Sequence, residues 1–157
     1  MNKHSMVSYY PKRFLSIGLS IQDHVKYLNK INIAITMEMR RSYIVVVDDE
    51  SDLVFMFKVT LEMNGYNVIG FTNPIEALEY IKKNHDKCAL LITDYRMPEI
   101  NGCELATKIK EIDEKINIII ITAYENIIED TFGFELVKKP ISTTKLLEVV
   151  ADNINLK

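Results

Sequence analysis

The sequence predicts an α/β fold, a five-stranded parallel sheet with helices on both faces. Two observations carry this. Five short runs rich in Val and Ile alternate with segments of helical character, and that alternation calls for a parallel sheet. The runs are continuously apolar rather than apolar on every second residue, as in YIVVV and NIIIIT, and strands of that kind are covered on both faces.

In chain order, Tyr43 to Val47 reads as the first strand. Glu50 to Asn64 consists of helix formers and stops at Gly65, a residue suited to the left-handed turn that ends helices. NVIGF (67–71) is the second strand. Thr72-Asn73-Pro74 combines a cap with proline at the first helical turn, and Ile75, Leu78 and Ile81 follow at helix spacing. ALLIT (89–93) is the third strand, and Leu105, Ile109 and Ile112 mark the third helix at i, i+4, i+7. NIIIIT (117–122) is the fourth strand, followed by a weaker helix from Glu125 to Phe132 ending near Gly133. Glu135 to Lys138 is a short fifth strand, and Ser142 caps a last helix whose apolar face is Leu146, Val149, Val150 and Ile154.

The chain has 157 residues and 48% hydrophobic content, enough for one domain with a real core. No apolar run approaches the ~18 residues a membrane span requires. Lys12-Arg13 before FLSIGLSI is not read as a signal peptide, because the apolar part is short and no small-residue cleavage site follows. Cys88 and Cys103 have no metal or redox spacing and read as free thiols in a reducing compartment, so the expected location is the cytoplasm. His4, His24 and His85 are scattered and read as surface residues. Charge divides the chain. Residues 1–42 hold seven Lys/Arg and two Asp/Glu, a net of +5, whereas residues 43–157 hold twelve and twenty, a net of −8. Residues 1–41 are therefore expected to be a basic extension, poorly packed or a short helix, and residues 42–157 an acidic domain. The acidic balance argues against direct nucleic-acid binding.

In a parallel α/β sheet, sites form past the carboxyl ends of the strands. Asp48 and Asp49 end the first strand, Asp94 the third, Thr122 the fourth, and Lys139 follows the fifth. Three carboxylates converging at one edge need a counter-charge. A hard divalent cation with oxygen ligands supplies it, and Mg²⁺ suits a site that leaves positions open for water and a phosphoryl group. A carboxylate beside such a cation can attack phosphorus, with a hydroxyl and an ammonium holding the other phosphoryl oxygens.

The pieces VVVDDE, LLITDYRMPEINGCEL, IIIITAY and VKKP stand in that order at the ends of the first, third, fourth and fifth strands. In them the chain resembles the response-regulator receiver domain of two-component signalling, over about residues 42–156. The resemblance implies a flavodoxin-like sheet of strand order 2-1-3-4-5. It implies that Asp94 is the phospho-acceptor, that Asp49 ligates Mg²⁺ directly and Asp48 mainly through water, and that the backbone carbonyl of Arg96 is a further ligand. Thr122 would bond the phosphoryl group and move with it, and Lys139 would form the ion pair, with a cis Lys139–Pro140 bond. The protein would catalyse only its own phosphorylation and dephosphorylation, without being an enzyme otherwise. Its donor would be a sensor histidine kinase or phosphotransfer protein, and its output docking to a downstream protein. A homodimer through the fourth helix, fifth strand and fifth helix also follows. With nothing resembling a DNA-binding or enzymatic output domain, the expectation is a stand-alone receiver.

One position departs from the family. Where Tyr or Phe often stands three residues before the lysine, this chain has Leu136. Phe134 is expected to point to the other face of the strand, so coupling would run through movement of the fourth helix. Arg96 and Tyr124, two positions after the acceptor and the threonine, are large and lack a carboxylate or amide to hold water; slow loss of the phosphoryl group is expected. Competing readings are a receiver-like binding module that needs no phosphorylation and an aspartate-nucleophile phosphatase of the haloacid-dehalogenase type. The latter wants a second Asp two residues after the nucleophile, where this chain has Glu50 or Arg96. A nucleotide module would need a Gly-rich turn after the first strand. In the leader, Ser20 and Asp23 resemble a capping box, and Ile21, Val25, Leu28, Asn32 and Ile35 follow a 4-3-4-3 spacing too short for a coiled coil.

Overall fold

A computed structural model of the chain describes residues 20, 22–23, 25–31, 42–123 and 133–154. The chain divides into two compact units, Met1–Met37 and Glu38–Lys157. In the first, residues 22–23 and 25–31 are helical. Ser20 N donates to Asp23 Oδ2 and Asp23 N to Ser20 Oγ, each at 3.2 Å, the reciprocal cap expected there. Val25, Leu28 and Ile31 are exposed. Ile21, His24, Asn32 and Ile35 lie outside the described residues, as does His4.

The second unit holds β1 (Tyr43–Val47), α1 (Ser51–Met63), β2 (Asn67–Phe71), α2 (Pro74–Asn84), β3 (Cys88–Asp94), α3 (Gly102–Ile112), β4 (Asn117–Thr122), β5 (Glu135–Lys138) and α4 (Thr143–Ile154). All strand pairs are parallel, in the order β2-β1-β3-β4-β5. The helix expected at 125–132 falls outside the described residues.

The alternation of side chains sorts the apolar runs into two cores. Val45, Val47, Leu91, Ile118 and Ile120 pack with Ala77, Leu78 and Ile81 of α2 and Leu105, Ala106 and Ile109 of α3. Ile44, Val46, Leu90, Ile92, Ile119 and Ile121 pack on the other face with Phe57 and Leu61 of α1 and Leu146, Val149 and Val150 of α4. The continuous apolar strands are thus explained: every residue of β1 is buried because both its faces are covered. Cys88 and Cys103 are buried in the first core.

Helix ends follow local chemistry. Asn73 Oδ1 accepts from Ile75 N at 2.8 Å and Glu76 N at 3.1 Å, with Pro74 at the first helical position. Ser142 Oγ accepts from Lys145 N at 3.1 Å. Past α1, Gly65 takes φ 89°, a conformation glycine adopts without strain. Two features were not foreseen. The β1–β3 register shifts between Tyr43 and Ile44, so β3 starts one residue early at Cys88. A 3₁₀ turn, His85–Lys87, follows α2 and brings His85 Nδ1 within 3.4 Å of Asp113 Oδ2. Among the described residues, no helix is long and apolar enough to cross a membrane.

One reading is corrected. Phe134 does not point away from the face that Leu136 occupies. It packs against the core containing Ile118 and Ile120, and Leu136 pairs in register with Ile120. Residues two apart on an extended chain share a face. Leu136 itself is 38% exposed.

Candidate functional site

The carboxyl ends of the strands bring the expected residues to one edge. Asp48 follows β1, its N–H extending the ladder to Phe71 O at 3.2 Å. Its side chain turns inward and is almost fully buried, with Oδ1 accepting from Glu50 N at 2.9 Å. Asp49 and Glu50 are exposed before α1 begins. Asp94 is the last residue of β3 and is also buried. Its Oδ2 accepts from Arg96 N at 2.7 Å, so the turn after the strand aims the carboxylate through a backbone amide. Thr122 ends β4, buried, and its carbonyl accepts from Lys139 N at 2.7 Å. That bond places Lys139 just past β5. The Lys139–Pro140 peptide is cis.

Lys139 joins the two buried acids. Its Nζ lies 2.9 Å from Asp48 Oδ2 and 2.5 Å from Asp94 Oδ1. Burial pushes the Asp48 carboxyl above its ordinary pKa, and the negative charge of Asp94 adds to this; the Lys139 ammonium and the Glu50 amide oppose it. For Lys139, burial pulls the pKa down, but hydrogen bonds to Asp94 and Asp48 outweigh it, and the ammonium is held above the usual lysine value. Removing one partner from such a buried pair leaves an uncompensated charge, at a cost of about 3–5 kcal/mol.

An open cleft of about 380 Å³ lies over these groups, lined by Asp49, Glu50, Asp94, Arg96, Thr122, Ala123 and Lys139. Asp48 lies beneath it. The residues named for metal binding, Asp48, Asp49, Asp94 and the carbonyl of Arg96, all fall at this strand edge. Among the described residues no three His, Cys, Asp or Glu side chains are gathered closely enough to hold a metal ion. Asp48 and Asp94 converge on Lys139 instead, and Asp49 stands at the solvent lip. The donors are all oxygen and one side is open, so the set fits a hard divalent cation in kind. Arg96 is exposed at the lip; Tyr124 lies outside the described residues. Glu50 and Ala123 were given no role from the sequence. Each adjoins an assigned residue, and that adjacency was the only signal available.

The sequence profile of the response regulator receiver domain matches residues 44–151. The chain is 32% identical over 111 residues to the response regulator SaeR of Staphylococcus epidermidis, covering 68% of this chain and 47% of that protein. It is 31% identical over 86 residues to sporulation initiation phosphotransferase F of Bacillus subtilis, covering 55% of this chain and 68% of the relative. The chain thus spans about half the length of SaeR. Among solved structures, a response regulator receiver domain protein from Clostridium thermocellum superimposes with TM-score 0.68 at 28% identity, covering 73% of this chain and 94% of that one.

Proposed function

This chain belongs to the response regulator receiver domain family of two-component signalling, and from that membership we propose that Asp94 accepts a phosphoryl group and that the protein signals by the change in shape and docking that follows. The observation that carries the reading is the Lys139 ammonium set between Asp48 and Asp94 at the rim of an open cleft, with Thr122 beside it. In the proposed step an Asp94 oxygen attacks phosphorus. A new O–P bond forms, and the bond from phosphorus to the donor's nitrogen or acyl oxygen breaks, its electron pair leaving with the donor. Lys139 then exchanges its contact with the Asp94 carboxylate for one with a phosphoryl oxygen, and the Thr122 hydroxyl donates to another. Asp48, Asp49, Asp94 and the Arg96 carbonyl would hold Mg²⁺, which neutralises charge on the phosphoryl oxygens when bound.

The donor in this reading is a sensor histidine kinase or a phosphotransfer protein. The similarity to a protein named a phosphotransferase supports passage of the group between proteins. The recipient of the signal is a protein, or a second copy through the face of β5 and α4. The test is incubation with acetyl phosphate or phosphoramidate and Mg²⁺. One hydroxylamine-labile phosphoryl group is expected by intact mass, absent in Asp94→Asn. The same labelling in that variant would rule out Asp94 as acceptor, and no labelling of the native chain would favour a binding module that works without phosphorylation.

A further inference from the structure

Four polar or charged side chains are buried among the described residues: Asp48, Thr93, Asp94 and Thr122. Three belong to the strand-end site. Thr93 does not. It pairs in register with Val47 and Ile120, on the face of the first core, and is 0% exposed. A valine has the same shape and would fit that environment without a hydroxyl to satisfy.

The hydroxyl has two acceptors, Asp94 O at 3.1 Å and Met97 Sδ at 3.9 Å. It carries one proton, which serves them in alternation. Both acceptors belong to the segment that presents the Asp94 carboxylate. Asp94 supplies the carbonyl, Met97 supplies the sulfur, and between them the Arg96 amide donates to Asp94 Oδ2 at 2.7 Å. The same Asp94 carbonyl is approached by α3, since a Cβ on Gly102 would lie 2.2 Å from it. The hydroxyl therefore ties both ends of the segment whose middle amide aims the acceptor.

We propose that Thr93 is a positioning residue for phosphoryl acceptance, its hydroxyl fixing the Asp94–Met97 turn so that the carboxylate keeps its direction. The inference rests on the reading of Asp94 as acceptor. It is tested by the second-order rate constant for labelling by phosphoramidate with Mg²⁺, alongside the melting temperature, in native chain, Thr93→Val and Thr93→Ser. Thr93→Val is expected to label about three- to tenfold more slowly, since small misplacements of a reacting group cost rate. Its melting temperature should fall by no more than a few degrees, because a single neutral hydrogen bond contributes little net stability. Thr93→Ser should label within about twofold of native, a rescue that a packing role would not give. Thr93→Val labelling at the native rate, or Thr93→Ser as slow as Thr93→Val, overturns the proposal alone. A native chain that takes no label overturns the acceptor reading and this inference with it. Should Thr93→Val fail to fold, Thr93→Ala against Thr93→Ser gives the same comparison, and equal rates overturn the proposal.

Discussion

Lys139 is the residue around which the site is organised. Its ammonium stands within hydrogen-bond reach of Asp48 and Asp94, so two of the three strand-end carboxylates share one cation and the third, Asp49, remains exposed. That division separates the roles of neighbouring acids. Asp49→Ala is expected to lower Mg²⁺ affinity by about tenfold or more if Asp49 is the direct oxygen ligand proposed above. It should leave the melting temperature unchanged or slightly raised, since one like charge leaves the strand edge. Calorimetric titration with Mg²⁺ checks this, and native affinity in the variant would exclude Asp49 as a ligand. At this scale the sequence was legible wherever a residue type was distinctive at a strand end: Asp48, Asp49, Asp94, Thr122 and Lys139 all reach one edge. The amides of Glu50 and Arg96, which hold Asp48 and Asp94, were not legible, because a backbone donor has no side-chain signature. Phe134 was misplaced by an error of parity, not for want of signal, since residues two apart in extended chain share a face.

Helix α3 begins hard against the end of β3, at the Asp94 carbonyl. Asn101 and Glu104 form a reciprocal capping box, at 2.9 Å and 3.0 Å, which fixes where the helix begins. Gly102 N then donates to Tyr95 O at 2.9 Å, leaving no room for a side chain against the Asp94 carbonyl. Because that neighbour is backbone, Gly102→Ala must displace the helix or the turn. A destabilisation of about 1–3 kcal/mol is expected in chemical denaturation, with slower labelling of Asp94. Native stability and native rate together would show that the approach relaxes freely. Strands and helices were legible here because apolar runs and helical spacing are properties of neighbouring residues. The cap at Asn101 passed unremarked because Gly102 interrupts the apolar pattern just where the helix starts. The 3₁₀ turn His85–Lys87 and the shift that starts β3 at Cys88 left no trace in periodicity.

Across the molecule, the charge break near residue 42 and the boundary between compact units at Met37 and Glu38 nearly coincide. We infer that the leader is dispensable for the fold and the phosphoryl chemistry. A chain starting at Met39 should unfold in one cooperative transition and label at close to the native rate. An insoluble or unreactive product would mean that the leader belongs to the domain. The architecture was readable because parallel strands with two covered faces have a distinctive apolar pattern, and the strand order came with the resemblance carried by the four motifs at the ends of β1, β3, β4 and β5. The character of residues 1–41 was not, since a short 4-3-4-3 pattern serves a packed helix and a solvated one equally well. The sheet also has two rims, β2 and β5, and the second is only four residues long. Glu135 and Lys138 are exposed on it, with Leu136 between. A foreign strand laid along that rim finds few backbone groups to pair with. Stacked parallel and in register with its own kind, Glu135 would face Glu135 and Lys138 would face Lys138, so like charges oppose that pairing.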